Sequence, residues 1–181
     1  RMWLQQTEIP FTDTTAEYDI IRQVGKGTFS SVYIARHCEY SAPVALKLID
    51  KKRVTETSDV RKALRNVRRV NNEVNLMRGC RHAGICSVLS AFQTNQHVFI
   101  IMDFVERDLF HLLSGFPYGL PEKLQRSMTR IIAVSVAYLH GRSIAHRDIK
   151  PENILVKGSL QNGDLMVKLC DFGLSLKPKT M

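Results

Sequence analysis

The stretch His146-Arg147-Asp148-Ile149-Lys150-Pro151-Glu152-Asn153 packs an acid, a cation and an amide into one short run. An acid with a lysine two residues on and an amide five residues on crowds a loop usefully only where that loop meets a charged ligand. Asp148 can accept a hydroxyl proton, Lys150 can neutralise phosphate, and Asn153 offers a carbonyl oxygen to a hard cation. Asp171-Phe172-Gly173 follows a later apolar run and brings a further carboxylate beside Asn153.

Three features of the first half bear on the same chemistry. Gly25-Lys26-Gly27-Thr28-Phe29-Ser30 is glycine-rich, and glycine lets backbone N–H groups approach phosphate oxygens with no Cβ in the way. A hairpin turn is the plain alternative. A dinucleotide-binding fold requires a helix directly after such glycines, whereas Ser31 to Arg36 has strand character, so that reading fails. In Val44-Ala45-Leu46-Lys47-Leu48, alternation places Ala45 and Lys47 on one face and Val44, Leu46 and Leu48 on the other. A lysine among apolar neighbours is costly to bury unless an anion meets it; taken alone, it can also snorkel from a strand edge. Glu73 is the single acid between Arg61 and Arg81, next to an apolar stripe through Val67, Val70, Val74 and Met77. It can pair with Lys47, or sit on the surface against Arg69 or Arg78.

These groups need elements to position them. Tyr18–Val24 and Ser31–Arg36 read as a hairpin, Val44–Ile49 as a third strand and Val98–Met102 as a buried strand. The Val67–Met77 spacing predicts a polar helix between them. Beyond Met102 the pattern changes. Leu124, Met128, Ile131, Ile132, Ser135, Val136 and Leu139 predict a long amphipathic helix stopped by His140-Gly141. Ile154–Val156 and Met166–Leu169 flank Gln161-Asn162-Gly163-Asp164, a hairpin signal with a long connection.

A chain of 181 residues with 44% hydrophobic and 24% charged side chains is globular, and its longest apolar stretch is too short to span a bilayer. No membrane partner is expected. The four cysteines, Cys38, Cys80, Cys86 and Cys170, form no CxxC pair, which disfavours zinc and redox chemistry and favours an intracellular, reducing compartment, cytoplasm or nucleus. The net charge of +9 is concentrated in Arg61, Lys62, Arg65, Arg68, Arg69, Arg78 and Arg81. Such a run is either a solvated helix face or an attractor for acidic partners. Nucleic acid is disfavoured because no aromatic side chain interleaves with these cations.

Taken in order, the glycine-rich loop with Val32 after it, Val44-Ala45-Leu46-Lys47, Glu73, His146-Arg147-Asp148 with Asn153, and Asp171-Phe172-Gly173 resemble the protein kinase family. Lys150 in the catalytic loop is similar to the serine/threonine subgroup, and the run from Phe29-Ser30 to Val32 is reminiscent of calcium/calmodulin-dependent kinase relatives. The resemblance implies an α+β, two-lobed fold: a complete β-rich N-lobe over residues 1–102, then a hinge and a truncated helical C-lobe over 103–181. It implies ATP and Mg2+ as cofactors, and protein substrates bearing serine or threonine. Val24, Gly25, Lys26, Gly27, Thr28, Phe29 and Ser30 then cover the ATP phosphates, and Lys47, held by Glu73, contacts two of them. Met102 is the gatekeeper, and Asp103 and Val105 bind adenine through backbone groups. Val32, Ala45 and Leu155 sandwich the ring, and Asp108 meets the ribose. Asp148 deprotonates the substrate hydroxyl, Lys150 steadies the γ-phosphate, and Asn153 and Asp171 hold magnesium. Arg147 implies pairing with a phosphorylated activation loop.

Departures from the family pattern shape further expectations. Ser30 replaces a third glycine, and the separation of Lys47 from Glu73 is longer than usual. The chain starts at Arg1 rather than Met and stops ten residues after Asp171, so a fragment without the later substrate platform, inactive by itself, is expected. The alternative is a pseudokinase or scaffold that binds nucleotide or partners without turnover.

Overall fold

The computed structural model describes residues 9–12, 17–39, 41–158 and 165–178. They divide into two compact units, one comprising residues 1–75 and 88–104, the other 76–87 and 105–181.

In the first unit, β1 (Tyr18–Lys26), β2 (Ser30–His37), β3 (Pro43–Asp50), β4 (Val88–Gln93) and β5 (His97–Asp103) form one sheet in the order β1-β2-β3-β5-β4, every neighbour antiparallel. Alternation along β3 sorts its side chains as the sequence predicts. Val44 and Leu46 enter a core with Ala35, Phe99 and Ile101, with Leu48 packed against it. Phe92 stacks on Phe99 at 4.9 Å, tying β4 to β5. β3 ends at Asp50, whose carboxylate accepts from the N–H of Lys52 and Arg53 and so caps α1 (Lys51–Thr55). Asp59 opens α2 (Val60–Arg78) by accepting from Arg61 N–H through its side chain and from Ala63 N–H through its backbone. Val67, Val70, Val74 and Met77 are buried, as their spacing requires. The long path from Lys47 to Glu73 is therefore taken up by α1 and by the first four turns of α2.

A buried polar knot closes the edge of this sheet. Lys51 Nζ donates to Gln93 Oε1 at 2.7 Å and to the Thr94 carbonyl at 2.6 Å. Gln93 Nε2 donates to the Ile9 carbonyl, and Phe11 bridges to Gln93 in parallel, so residues 9–12 lie along β4. Burial lowers the pKa of Lys51 from its ordinary value, because the charged ammonium has lost water.

In the second unit, β6 (Arg107–Asp108), β7 (Ile154–Gly158) and β8 (Leu165–Leu169) form an antiparallel sheet in that order. The residues of the expected Asn-Gly turn lie outside the described residues, but the strands flanking them pair from Ile154↔Leu169 to Gly158↔Leu165. Asp108 caps α3 (Leu109–Ser114), its carboxylate accepting from His111 N–H at 2.7 Å. Then α4 (Glu122–Gly141) buries Leu124, Met128, Ser135 and Leu139, while Ile131, Ile132 and Val136 are half-buried. Its end falls at His140-Gly141 as predicted.

The division differs in one respect from the boundary expected after Met102. Residues 76–87 belong with the second unit, and β5 runs on to Asp103. Backbone bonding explains this. Leu169 N–H donates to the Gly84 carbonyl, Cys86 N–H to the Leu169 carbonyl, and Arg81 N–H to Tyr138 Oη. Apolar periodicity could not reveal these links because two run between backbone groups and the third from a backbone N–H to a phenol oxygen. No helix among the described residues is long and apolar enough to cross a membrane.

Candidate active site

In the first unit, the sheet register places Gly25, Val32, Lys47, Ile100 and Ala91 in one row across all five strands. Residues in register point to the same face, so Lys47 stands between Val32 and Ile100 with Ala45 two residues away on that face. Its Nζ donates to Glu73 Oε1 at 2.5 Å, and the two side chains are 13% and 6% exposed. Of the two settings open to Glu73 in the sequence, the structure selects the pair with Lys47. Met102 is buried opposite Ala45, and Asp103 ends β5 opposite Val44.

The glycine-rich loop is a tight connection between β1 and β2. Gly27 N–H donates to the Ser30 carbonyl at 2.7 Å, and Asp50 N–H donates to the Phe29 carbonyl. Neither Gly25 nor Gly27 has a positive φ. Space is tight instead: a Cβ on Gly27 would lie 3.1 Å from Ser30 Oγ, and the serine hydroxyl would have to give by a few tenths of an ångström. Val24, Lys26, Gly27 and Thr28 are exposed, and Gly25, Phe29 and Ser30 are half-buried.

In the second unit, Asp148, Lys150 and Asn153 converge as their spacing requires. Asn153 Nδ2 donates to the Asp148 carboxylate at 2.8 Å and to its carbonyl at 2.9 Å, while Lys150 Nζ donates to the same carboxylate oxygen at 3.0 Å. That hydrogen bond, ahead of the nearby carboxylate charges, raises the pKa of Lys150, so it carries its full charge. A 3-10 turn over Pro151–Asn153 and the start of β7 fix the amide in place. Asn153 then accepts from Cys170 N–H through its carbonyl, which aligns it with the residue preceding Asp171.

Asp171 and Arg147 both adopt left-handed backbone, at φ 62° and 66°. Non-glycine residues pay strain for this conformation, which persists only where the surroundings over-determine it. For Arg147 the determinant is visible: its Nε donates to the Leu174 carbonyl at 2.6 Å, beside the bridge of Ala145 to Leu176. For Asp171 the carboxylate accepts from Gly173 N–H, and Phe172 is completely buried.

Sequence reasoning gave no role to His146, and the structure gives it a central position. It is 3% exposed. Its Nε2 lies 3.1 Å from the Cys170 carbonyl, its Nδ1 faces the Asp148 N–H, and its ring meets Phe172 edge-on at 4.9 Å. Ser175 Oγ donates to its carbonyl. Burial lowers its pKa, against smaller opposing effects from the Cys170 bond and from Asp171 and Asp148. The ring is therefore neutral, with its proton on Nε2, and it joins the loop before Asp148 to the backbone before Asp171. The motif position was visible in the sequence; the burial was not.

The remaining expected residues are placed as follows. Val105 is buried, Asp108 stands opposite Leu155 across β6 and β7, and the Asp108 carboxylate also meets His111 Nδ1 at 2.8 Å.

Residues 18–180 match the family described as "Protein kinase domain". The chain belongs to the protein kinase family. It is similar to "Serine/threonine-protein kinase 36" of Pongo abelii, with 37% identity over 161 residues, covering 88% of this chain and 11% of that protein. "CBL-interacting protein kinase 4" of Oryza sativa subsp. japonica is 34% identical over 167 residues, covering 91% of this chain and 34% of that protein. "Serine/threonine-protein kinase D2" of Rattus norvegicus is 33% identical over 153 residues, covering 84% and 16%. The chain thus spans about a third or less of the length of these kinase relatives, two of which are serine/threonine-protein kinases by name.

Proposed function

We propose that the protein transfers the γ-phosphate of ATP to serine or threonine hydroxyls of protein substrates. The observation that carries this reading is the Asp148 carboxylate, held by Asn153 and Lys150 and left partly open, at 23% exposed. An acceptor-only carboxylate in that setting can orient a hydroxyl and take its proton as phosphoryl transfer proceeds. Lys150 puts positive charge beside the transferred group, and Lys47, aimed by Glu73, presents its ammonium to the nucleotide phosphates.

The donor set suits magnesium. With Asn153 Nδ2 committed to Asp148, its Oδ1 has no hydrogen-bond donor among the described residues, and the Asp171 carboxylate adds a second hard oxygen. Magnesium takes few protein ligands and fills the rest with phosphate and water. When bound, it neutralises phosphate charge; Asn153 and Asp171 are the residues that would hold it.

The test is phosphate transfer by the full-length protein from radiolabelled ATP to a serine-containing peptide. The expected result is Mg2+-dependent labelling that is lost in Asp148→Asn. Mg2+-dependent ATP binding with no transfer by the full-length protein would instead support the scaffold reading.

A further inference from the structure

We propose that the outer face of α2 from Arg61 to Arg69 is a docking surface for an acidic protein segment. Arg61, Lys62, Arg65, Arg68 and Arg69 are all exposed. At about 100° per residue, the five lie within an arc of about 120° along about 12 Å of helix. The opposite face is anchored by Ala63, Val67, Val70 and Val74, so the cationic strip sits on an element already held in place. Arg78 and Arg81, part of the same run in sequence, fall in the second unit and are not part of this strip.

The strip works against the stability of its own helix in two ways. Arg61 and Lys62 occupy a first turn that holds no acid, where the helix dipole disfavours cations. Arg61–Arg65, Arg65–Arg69 and Arg65–Arg68 are like-charge pairs at spacings of four and three, each of which destabilises a helix. Counter-charge is scarce. Glu73, the one acid of α2, is committed to Lys47, and the carboxylate nearest Arg65 is Asp59 at 3.9 Å with both side chains more than half exposed. Residues that break local rules with no gain to the fold are expected where function retains them.

Charge complementarity selects the occupant. Five cations on two turns of helix match a short peptide rich in aspartate and glutamate. Bases would find no aromatic side chain to stack on between Arg61 and Arg81. Lipid insertion requires apolar side chains beside the cations, and those of α2 are buried apart from Val60 at its start and Leu64, which is half-buried. The surface is independent of phosphoryl transfer, so this proposal and the kinase reading fail separately.

The test is fluorescence anisotropy with a labelled eight-residue Glu/Asp peptide at low ionic strength. The triple variant Arg61→Gln, Arg65→Gln, Arg68→Gln should bind at least tenfold more weakly than the unaltered protein and melt at the same temperature or higher. A control removing three exposed cations of α4, Lys123→Gln, Arg126→Gln and Arg130→Gln, should change affinity less than twofold. Equal losses in both variants, no binding by the unaltered protein, or a lower melting temperature for the α2 variant would overturn the proposal. So would tighter binding of a DNA duplex or of phosphatidylserine vesicles than of the peptide.

Discussion

Asn153 donates through one amide nitrogen to both the carbonyl and the carboxylate of Asp148, at 2.9 and 2.8 Å. One side chain thereby fixes the carboxylate, and its Oδ1 is the magnesium ligand of the proposed function. Asn153→Ala removes both effects at once. Turnover should fall about 10–100-fold, the usual cost of losing a group that orients a reacting or metal-binding side chain, and the Mg2+ concentration for half-maximal rate should rise. A magnesium titration of initial rates checks both.

Lys47 and Glu73 act as a unit, so their losses should not add. Lys47→Met should lower kcat about 10²–10³-fold, the scale for removing one preorganised charge from a transferring group. Glu73→Gln keeps the lysine but loosens its aim and should cost less. The double variant should match Lys47→Met alone. Steady-state kinetics of the four proteins completes the cycle.

How much of this was legible in the sequence depended on the range of the interaction. The β3 alternation that separates Lys47 from Leu46 is local and periodic, and so is the apolar stripe of α2. The spacing of Asp148, Lys150 and Asn153 fits within one loop, so it survived into the structure unchanged. The Lys51–Gln93 contact joins residues 42 apart in sequence and has no periodic signature. Strand β4, with Leu89 exposed and Ser90 half-buried at a register shift, lacks the clean alternation that would have announced it. Helix α1 is one turn long and too short for any period to emerge. Glu73 was open between two settings until the fold chose one.

His146 makes stability depend on pH. Its pKa is lowered in the folded protein, so below about pH 6.5 the unfolded chain takes up a proton that the folded ring resists. The contribution of the neutral ring is fully present above that pH and is lost as pH falls toward the depressed folded value. Melting temperature should therefore drop on acidification below neutrality, and His146→Gln should flatten that slope. Thermal melts of both proteins across pH 5–7.5 provide the comparison.

Gly84 is required by the packing of α4. A Cβ at Gly84 would overlap Ser135 Oγ, a hydroxyl that is buried and donates to the Ile131 carbonyl. Gly84→Ala should destabilise the fold by about 1–3 kcal/mol through overpacking. In a Ser135→Ala background, where the contacts left are Ser135 Cβ at 3.3 Å and His82 Nδ1 at 3.4 Å, much of that cost should disappear. Urea unfolding of the two single variants and the double variant measures it.

The role of Asp148 as acceptor of the substrate proton is tested most directly by a single turnover of the full-length protein at saturating ATP and serine peptide, with Asp148→Asn beside the unaltered sequence. The account predicts that the phosphoryl-transfer step slows about 10²–10⁴-fold, the range for losing a general base, while nucleotide affinity changes less than twofold. A transfer rate that survives Asp148→Asn, or a variant whose whole defect is lost ATP binding, would contradict it.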